Sequence, residues 1–356
     1  MDENVLNNEI ELKEKNRRKE RRKRKKFRLL ILLLLLFGTG VMLTTSTYAW
    51  FTANRTVSIS DIDVQILASN GIQISADAQN WKSVLSVDDL NGAKATYTDA
   101  KNQIPANLEP VSTGGTITGG FLDMYYGEVK VSETSTNNGS YILTATKEPD
   151  PNHGDSGRYI TFDIFLKVAA ESPIFLTPGS QVVSTDLQND KGIKNAARVA
   201  FINEGNKPAG TAAGVIQGLL GGNKAEIWEP NYDIHSPSGI ANALDVYGVT
   251  VTADHNAAPV KYDGVNSVIE VSDDVLLGKA KKEEYSTLFE NIIPTYKTEF
   301  GFNQNVAMST MTLQPGITKV KVYMWVEGQD VDCEDGASNG QITFKLEITN
   351  NEEPTP

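Results

Sequence analysis

One cysteine, Cys333, in a chain of 356 residues excludes an intrachain disulfide, so the fold rests on its own core. Histidine is nearly as scarce. His153, His235 and His255 are the only three, no two lie within four positions, and none belongs to an H-E-x-x-H pattern. A zinc protease of that type needs two imidazoles on one helix turn with a carboxylate beside them, and the spacing excludes it. The string GDSG (Gly154 to Gly157) has only His153 upstream, three residues from Ser156 in the same loop, so it reads as a tight turn and not a serine nucleophile. TGGTITGG (Thr113 to Gly120) lacks the lysine of a phosphate loop and reads as a loop. The polar stretch 351–356 carries neither an apolar segment nor a sortase-type pattern, and is expected to fray.

Charge is present but segregated. Residues 1–28 hold 12 Lys and Arg against six Asp and Glu, while the whole chain has a net charge of -12. The run RRKERRKRKK (Arg17 to Lys26) leads directly into FRLLILLLLLF, which argues for a cytoplasmic flank and against a nucleic-acid tail. From Phe27 to Phe51 there is no acidic side chain, and that length can span a bilayer. Its second half, GTGVMLTTSTYAW, is small and hydroxylated. Thr47 and Ala49 stand at −3 and −1 of a small-x-small cleavage pattern, with Trp50 as the new N-terminus. Residues 29–49 are therefore either a cleaved signal peptide or a transmembrane helix.

The body, 50–350, reads as β throughout. RYITFDIFLKVA puts Ile160, Phe162, Ile164, Leu166 and Val168 on one face, with Thr161, Asp163 and Lys167 opposite. KVKVYMWVEG puts Val320, Val322, Met324 and Val326 on one face, with Lys321, Tyr323 and Trp325 opposite. QITFKLEIT alternates in the same way, with Thr343, Lys345, Glu347 and Thr349 outward. Such alternation predicts antiparallel sheets with one wet face. TVSISDIDVQIL alternates, slips at Ser60–Asp61 and resumes, as at a β-bulge. SYILTAT, AARVAFI, DVYGVTVTA and NSVIEV add further strands between Gly- and Asn-rich turns. The fold class expected is all-β, an antiparallel β-sandwich or jelly roll. AAGVIQGLLGG and KKEEYSTLFENII (Lys281 to Ile293) predict helices, which makes 205–300 a partly helical insertion.

STYAWFTAN followed by VSISDIDVQI resembles the start of the TasA/camelysin family of exported envelope proteins of Gram-positive bacteria, and GQITFKLEIT is similar to that family's closing strand. The resemblance is specific over about Thr44 to Ile66. It implies a SipW-type signal peptide removed by a dedicated signal peptidase, a jelly-roll domain, and surface or biofilm-matrix fibres. In such fibres the first strand of one subunit completes the sheet of the next. Camelysin has been regarded as a metal-dependent protease, which the scattered histidines of this chain do not support.

Three features are candidates for chemistry. EGQDVDCED crowds Glu327, Asp330, Asp332, Glu334 and Asp335 into nine positions. Hard oxygen ligands at that density suit calcium, with Asp330, Asp332, Glu334 and Asp335 as ligands, although an acidic solvated turn has the same composition. Cys333 in that stretch is either a buried small side chain or an exposed thiol. Tyr323 and Trp325 form a second core if the insertion covers them, and a binding face if nothing does. No cofactor is expected other than calcium. The expected function is an exported, non-enzymatic surface or matrix protein that self-associates. The rival is a membrane-tethered binding module for glycan, calcium or an envelope partner, and a remote third reading is an exported metal-dependent hydrolase.

Overall fold

The computed structural model describes residues 56–66, 71–131, 141–151, 154, 156–185, 192–232, 234–244, 250–253, 262–271, 286–297, 308–333 and 340–350. The leader, the cleavage residues Thr47, Ala49 and Trp50, and the tail 351–356 lie outside them.

Most of the period-two segments become strands; of DVYGVTVTA, the described residues 250–253 form none. β1 is Val57–Ile66, followed by β2 (Gln73–Ser75) and β3 (Val84–Leu85). A short helix α1 (Val87–Gly92) leads to β4 (Asn107–Leu108), β5 (Val111–Ser112), β6 (Ile117–Thr118) and β7 (Phe121–Leu122). Next come β8 (Tyr125–Val131), β9 (Tyr141–Lys147), β10 (Ile160–Val168), β11 (Ser172–Leu176) and β12 (Gln181–Ser184). β13 (Ala197–Lys207), α2 (Ala213–Gln217), β14 (Ala225–Glu229) and α3 (Pro237–Asn242) follow. The rest is β15 (Tyr262–Val265), β16 (Ile269–Val271), β17 (Phe289–Ile292), β18 (Tyr296–Lys297), β19 (Met308–Leu313), β20 (Gly316–Val326) and β21 (Gln341–Thr349).

Two large sheets organise these strands. One has the order β19-β11-β21-β1-β3, with β12 also on β21 and β4 also on β1. The other has the order β18-β14-β13-β20-β10-β2. The pairings are antiparallel except β1 with β21 and β14 with β18. A parallel pair needs a crossover between its strands, and for β1 and β21 nearly the whole body is that crossover. One buried cluster takes Ile62, Val64, Phe344 and Leu346 from the first sheet and Phe162, Ile164, Val322 and Met324 from the second. Each such side chain contributes about 1.5–3 kcal/mol on leaving water. The slip in β1 falls where the alternation breaks, between Ile59 and Asp61. TGGTITGG closes a two-residue hairpin, β6 to β7, with Gly119 and Gly120 at φ +61 and +82; this conformation suits glycine.

The wet face expected on the second sheet is absent. β20 is buried along all of its residues and β10 along all but Lys167. A second cluster covers the far side: Val111, Leu122, Met124, Ile202, Ile227, Tyr262 and Ile292 pack on Tyr323 and Trp325. Tyr323 and Trp325 are therefore core. The polar residues on that face pair with one another, which lets a period-two pattern be buried on both sides. On β21, Glu347 and Thr349 are likewise buried.

The helix expected over 281–293 is also not found. Its described part is a 3₁₀ turn, Ser286–Leu288, running into β17. β17 pairs with β15 from Phe289↔Val265 to Ile292↔Tyr262, and that ladder outweighs a helical spacing with few capping residues. AAGVIQGLLGG yields only the five-residue α2. Among the described residues no helix is long and apolar enough to cross a membrane.

Ala78 is the one described non-glycine residue at positive φ, +60°. An L-side chain there costs roughly 1–2 kcal/mol, against about 0.5–1 for the extra freedom of glycine when unfolded. Ala78→Gly is expected to raise stability slightly, by about 0.5–1 kcal/mol, read as a higher melting temperature.

Candidate functional site

β1 is the first candidate because it directly follows the leader. Its register with β21 runs from Ser58↔Gln341 to Ile66↔Ile348. Among the described residues it meets only two-residue pieces on its other side: Val57 and Ser58 against β4, Val64 and Gln65 against β3. Val57, Ile62, Val64 and Ile66 are buried, while Ser60 and Asp61 at the bulge are exposed. Side chains lock the register further. Gln65 Nε2 donates to Glu347 Oε1 at 2.7 Å, and Ser58 Oγ donates to Asn107 Oδ1 at 2.9 Å. Burial pushes the Glu347 carboxyl up, but hydrogen bonds from Lys345, Thr177 and Gln65 outweigh it and hold it below its usual range.

The acidic stretch after β20 folds inward. Asp330 pairs with Arg198 of β13, a residue 1% exposed, and Arg198 also reaches Glu229 at 3.1 Å. Arg198 Nη1 donates to the Asn195 and Ala197 carbonyls at 3.0 Å, and its guanidinium lies 4.8 Å from the Tyr262 ring centre. Asp332 contacts His235 Nδ1 at 2.9 Å and accepts from the Ser236 backbone N–H at 2.8 Å. Burial raises the Asp332 carboxyl, against the lowering effect of its His235 contact. Glu327 accepts from Trp325 Nε1 and the Gln329 backbone N–H, both at 3.0 Å. Its complete burial pushes it up to about 7, despite those donors and Ser112.

Of the four residues expected to bind calcium, Asp330 and Asp332 are thus turned onto protein donors; Glu334 and Asp335 lie outside the described residues. Among the described residues no group of three or more His, Cys, Asp or Glu is placed to hold a metal ion. Cys333 is fully buried in the main core. His153 and Asp155 of the GDSG turn lie outside the described residues.

A third cluster lies on the buried polar face shared by β10 and β20. Asp163 of β10 and Lys321 of β20 stand directly opposite each other, with Asp163 Oδ1 2.7 Å from Lys321 Nζ. Asp163 Oδ2 is 3.2 Å from Lys319 Nζ and accepts from the Tyr97 hydroxyl at 2.7 Å. Lys319 Nζ also donates to the Gln217 carbonyl at 2.8 Å. Burial alone would raise Asp163, but the two lysines hold it below the usual carboxylate range. Burial lowers Lys319, outweighing the pull of Asp163. A cavity of about 310 Å³, lined by Tyr97, Phe121, Gln217, Leu219 and both lysines among others, adjoins the cluster. The signal in the sequence was the pattern of lysines alternating with valines in KVKV, opposite an aspartate in an otherwise apolar strand.

Asp77 shows the opposite behaviour to Glu327. It accepts from the backbone N–H groups of Gln79 and Asn80 and from the Thr96 and Ser75 hydroxyls. Burial would raise its carboxyl, but these donors together lower it to about 2. Compared with protein families, curated proteins and solved structures, the chain matches none.

Proposed function

We propose that this chain is an exported, non-enzymatic structural protein of the bacterial cell surface or extracellular matrix that assembles by donating β1 to a neighbouring copy. The observation carrying this reading is the asymmetric seat of β1. Eight paired positions hold it to β21, whereas four hold it to β3 and β4. A strand guarded on one side by such short pieces can be replaced by the same strand of another copy, which would restore the same ladder and return Val57, Ile62, Val64 and Ile66 to a core. In this reading the two large sheets are the layers of a jelly-roll sandwich, and 205–300 is an insertion into it. The basic flank and apolar run then serve as an export signal cut by a signal peptidase between Ala49 and Trp50. The acidic stretch remains a calcium candidate only through Glu334 and Asp335 together with a rearranged Asp330 and Asp332.

Two measurements test it. The N-terminus of protein recovered from medium and from membranes is expected at Trp50; an intact Met1 confined to the membrane supports the tethered binding module, because the apolar run is long enough to span. Deleting residues 50–66 is expected to abolish high-mass assemblies on sizing columns. Adding a peptide of residues 50–66 in trans is expected to bind the deleted chain and restore a monomer. Assemblies of undiminished size without those residues would rule strand donation out.

A further inference from the structure

We propose that Lys321 and Asp163 become joined by an intramolecular amide bond, a covalent rung between β10 and β20. The proposal goes beyond the assembly reading and does not depend on it.

The geometry carries it. The two residues are direct cross-strand partners on adjacent antiparallel strands, and their side chains are each 1% exposed with Nζ 2.7 Å from Oδ1. The amine therefore lies against the carboxyl it would attack, with both side chains almost wholly shielded although a cavity adjoins them. Holding the reactants this way replaces a bimolecular encounter and is worth several orders of magnitude in rate. The two carboxyl oxygens differ in a way that suits the reaction. Oδ1 faces the nucleophile, while Oδ2 is held by the Tyr97 hydroxyl at 2.7 Å and by Lys319 Nζ at 3.2 Å. These two donors stabilise the negative charge that Oδ2 gathers when Nζ adds to Cγ, as an oxyanion hole does.

The step balances without any added reagent. One proton passes from the Lys321 ammonium to the Asp163 carboxylate, giving amine and acid with no net charge change. Nζ then adds to Cγ, and the Cγ–Oδ1 bond breaks. Of the three protons first on Nζ, one stays on the amide nitrogen and two leave with Oδ1 as water. Oδ2 remains as the amide oxygen. No oxidation state changes. Glu204 of β13 is buried as well, and its Oε2 accepts from the Gly222 N–H at 2.9 Å. Burial raises its carboxyl, against the lowering effect of the Gly222 N–H and the two lysines. The Phe121 ring, 5.2 Å from Lys321 Nζ, keeps that side of the amine apolar. Condensation also removes a buried ion pair whose desolvation is costly.

Mass spectrometry of the full chain recovered from the cells that express it decides the matter. The expected mass is one water below that calculated for the recovered N-terminus. A tryptic digest is expected to contain Tyr159–Lys167 joined to Val320–Lys345, with no cut after Lys321. Lys321→Arg is expected to restore the full mass. Recovery of the wild-type chain at full mass, with the two peptides separate, overturns the bond and leaves a buried ion pair. A water loss mapped to other residues overturns it too.

Discussion

Arg198→Ala is expected to destabilise the protein by about 3–5 kcal/mol, enough to unfold a marginal domain at ordinary temperature. Arg198 is 1% exposed and serves two buried carboxylates, Asp330 and Glu229, with Glu327 close enough to feel its charge. Burial alone would lower its pKa; the carboxylates raise it instead, so it stays charged. Removing it strands two or more negative charges where water cannot reach them, and that uncompensated burial is the larger part of the cost. The lost Nη1 hydrogen bonds to the Asn195 and Ala197 carbonyls add about 1 kcal/mol each. Urea unfolding followed by tryptophan fluorescence measures it, since Trp228 and Trp325 are fully buried. Adding Asp330→Asn and Glu229→Gln to Arg198→Ala is expected to recover part of the loss. A cost below about 1 kcal/mol for the single change would show that the carboxylates find other partners.

Stability is expected to fall by roughly 3 kcal/mol as pH rises from about 4.5 to 7, and Glu327→Gln to remove the larger part of that fall. The sign follows from Glu327, whose carboxyl is raised from 4.5 to about 7 by complete burial. Below 4.5 both folded and unfolded states are protonated there, so the group contributes nothing. Between 4.5 and 7 the unfolded chain gives up its proton and the folded chain keeps it, so folding weakens as pH rises. Above 7 the penalty is complete. Asp332 and Glu204, also raised by burial, add to the same slope. Asp77 works the other way at lower pH: its contribution is present above about 4 and is lost as pH falls toward 2. The two slopes together place the stability maximum near pH 4–5, in an acidic protein. Unfolding free energies at several pH values check this, and an unchanged slope in Glu327→Gln would sink the assignment.

Both predictions concern residues whose position in the sequence was plain but whose surroundings were not. Arg198 sits in AARVAFI, a stretch legible as a strand, and its partners come from 31 and 132 positions further on, at Glu229 and Asp330. No local pattern records such a pairing. The acidic stretch around Asp332 shows the converse. Its composition suggested solvent or calcium, and tertiary packing turned its first half onto Arg198 and His235.

Period and punctuation were enough for the all-β class, for β1 with its bulge, and for the apolar faces of β10, β20 and β21. Those depend on alternation along a single strand, which the pleat converts directly into one buried face. What covers the opposite face is a long-range fact. Lys319, Lys321 and Asp163 look like wet residues one strand at a time, and become core only because β10 and β20 pair in the register that sets Asp163 against Lys321 while the segments carrying Tyr97, Phe121 and Gln217 close over them. Phe289–Ile292 likewise has a helical spacing that only the ladder with β15 turns into a strand. Local alternation determined where the long strands β1, β10, β20 and β21 lie; the burial of charge, and with it every candidate for chemistry, was decided by which strands met, because a charged side chain enters a core only when its partner arrives from elsewhere in the fold.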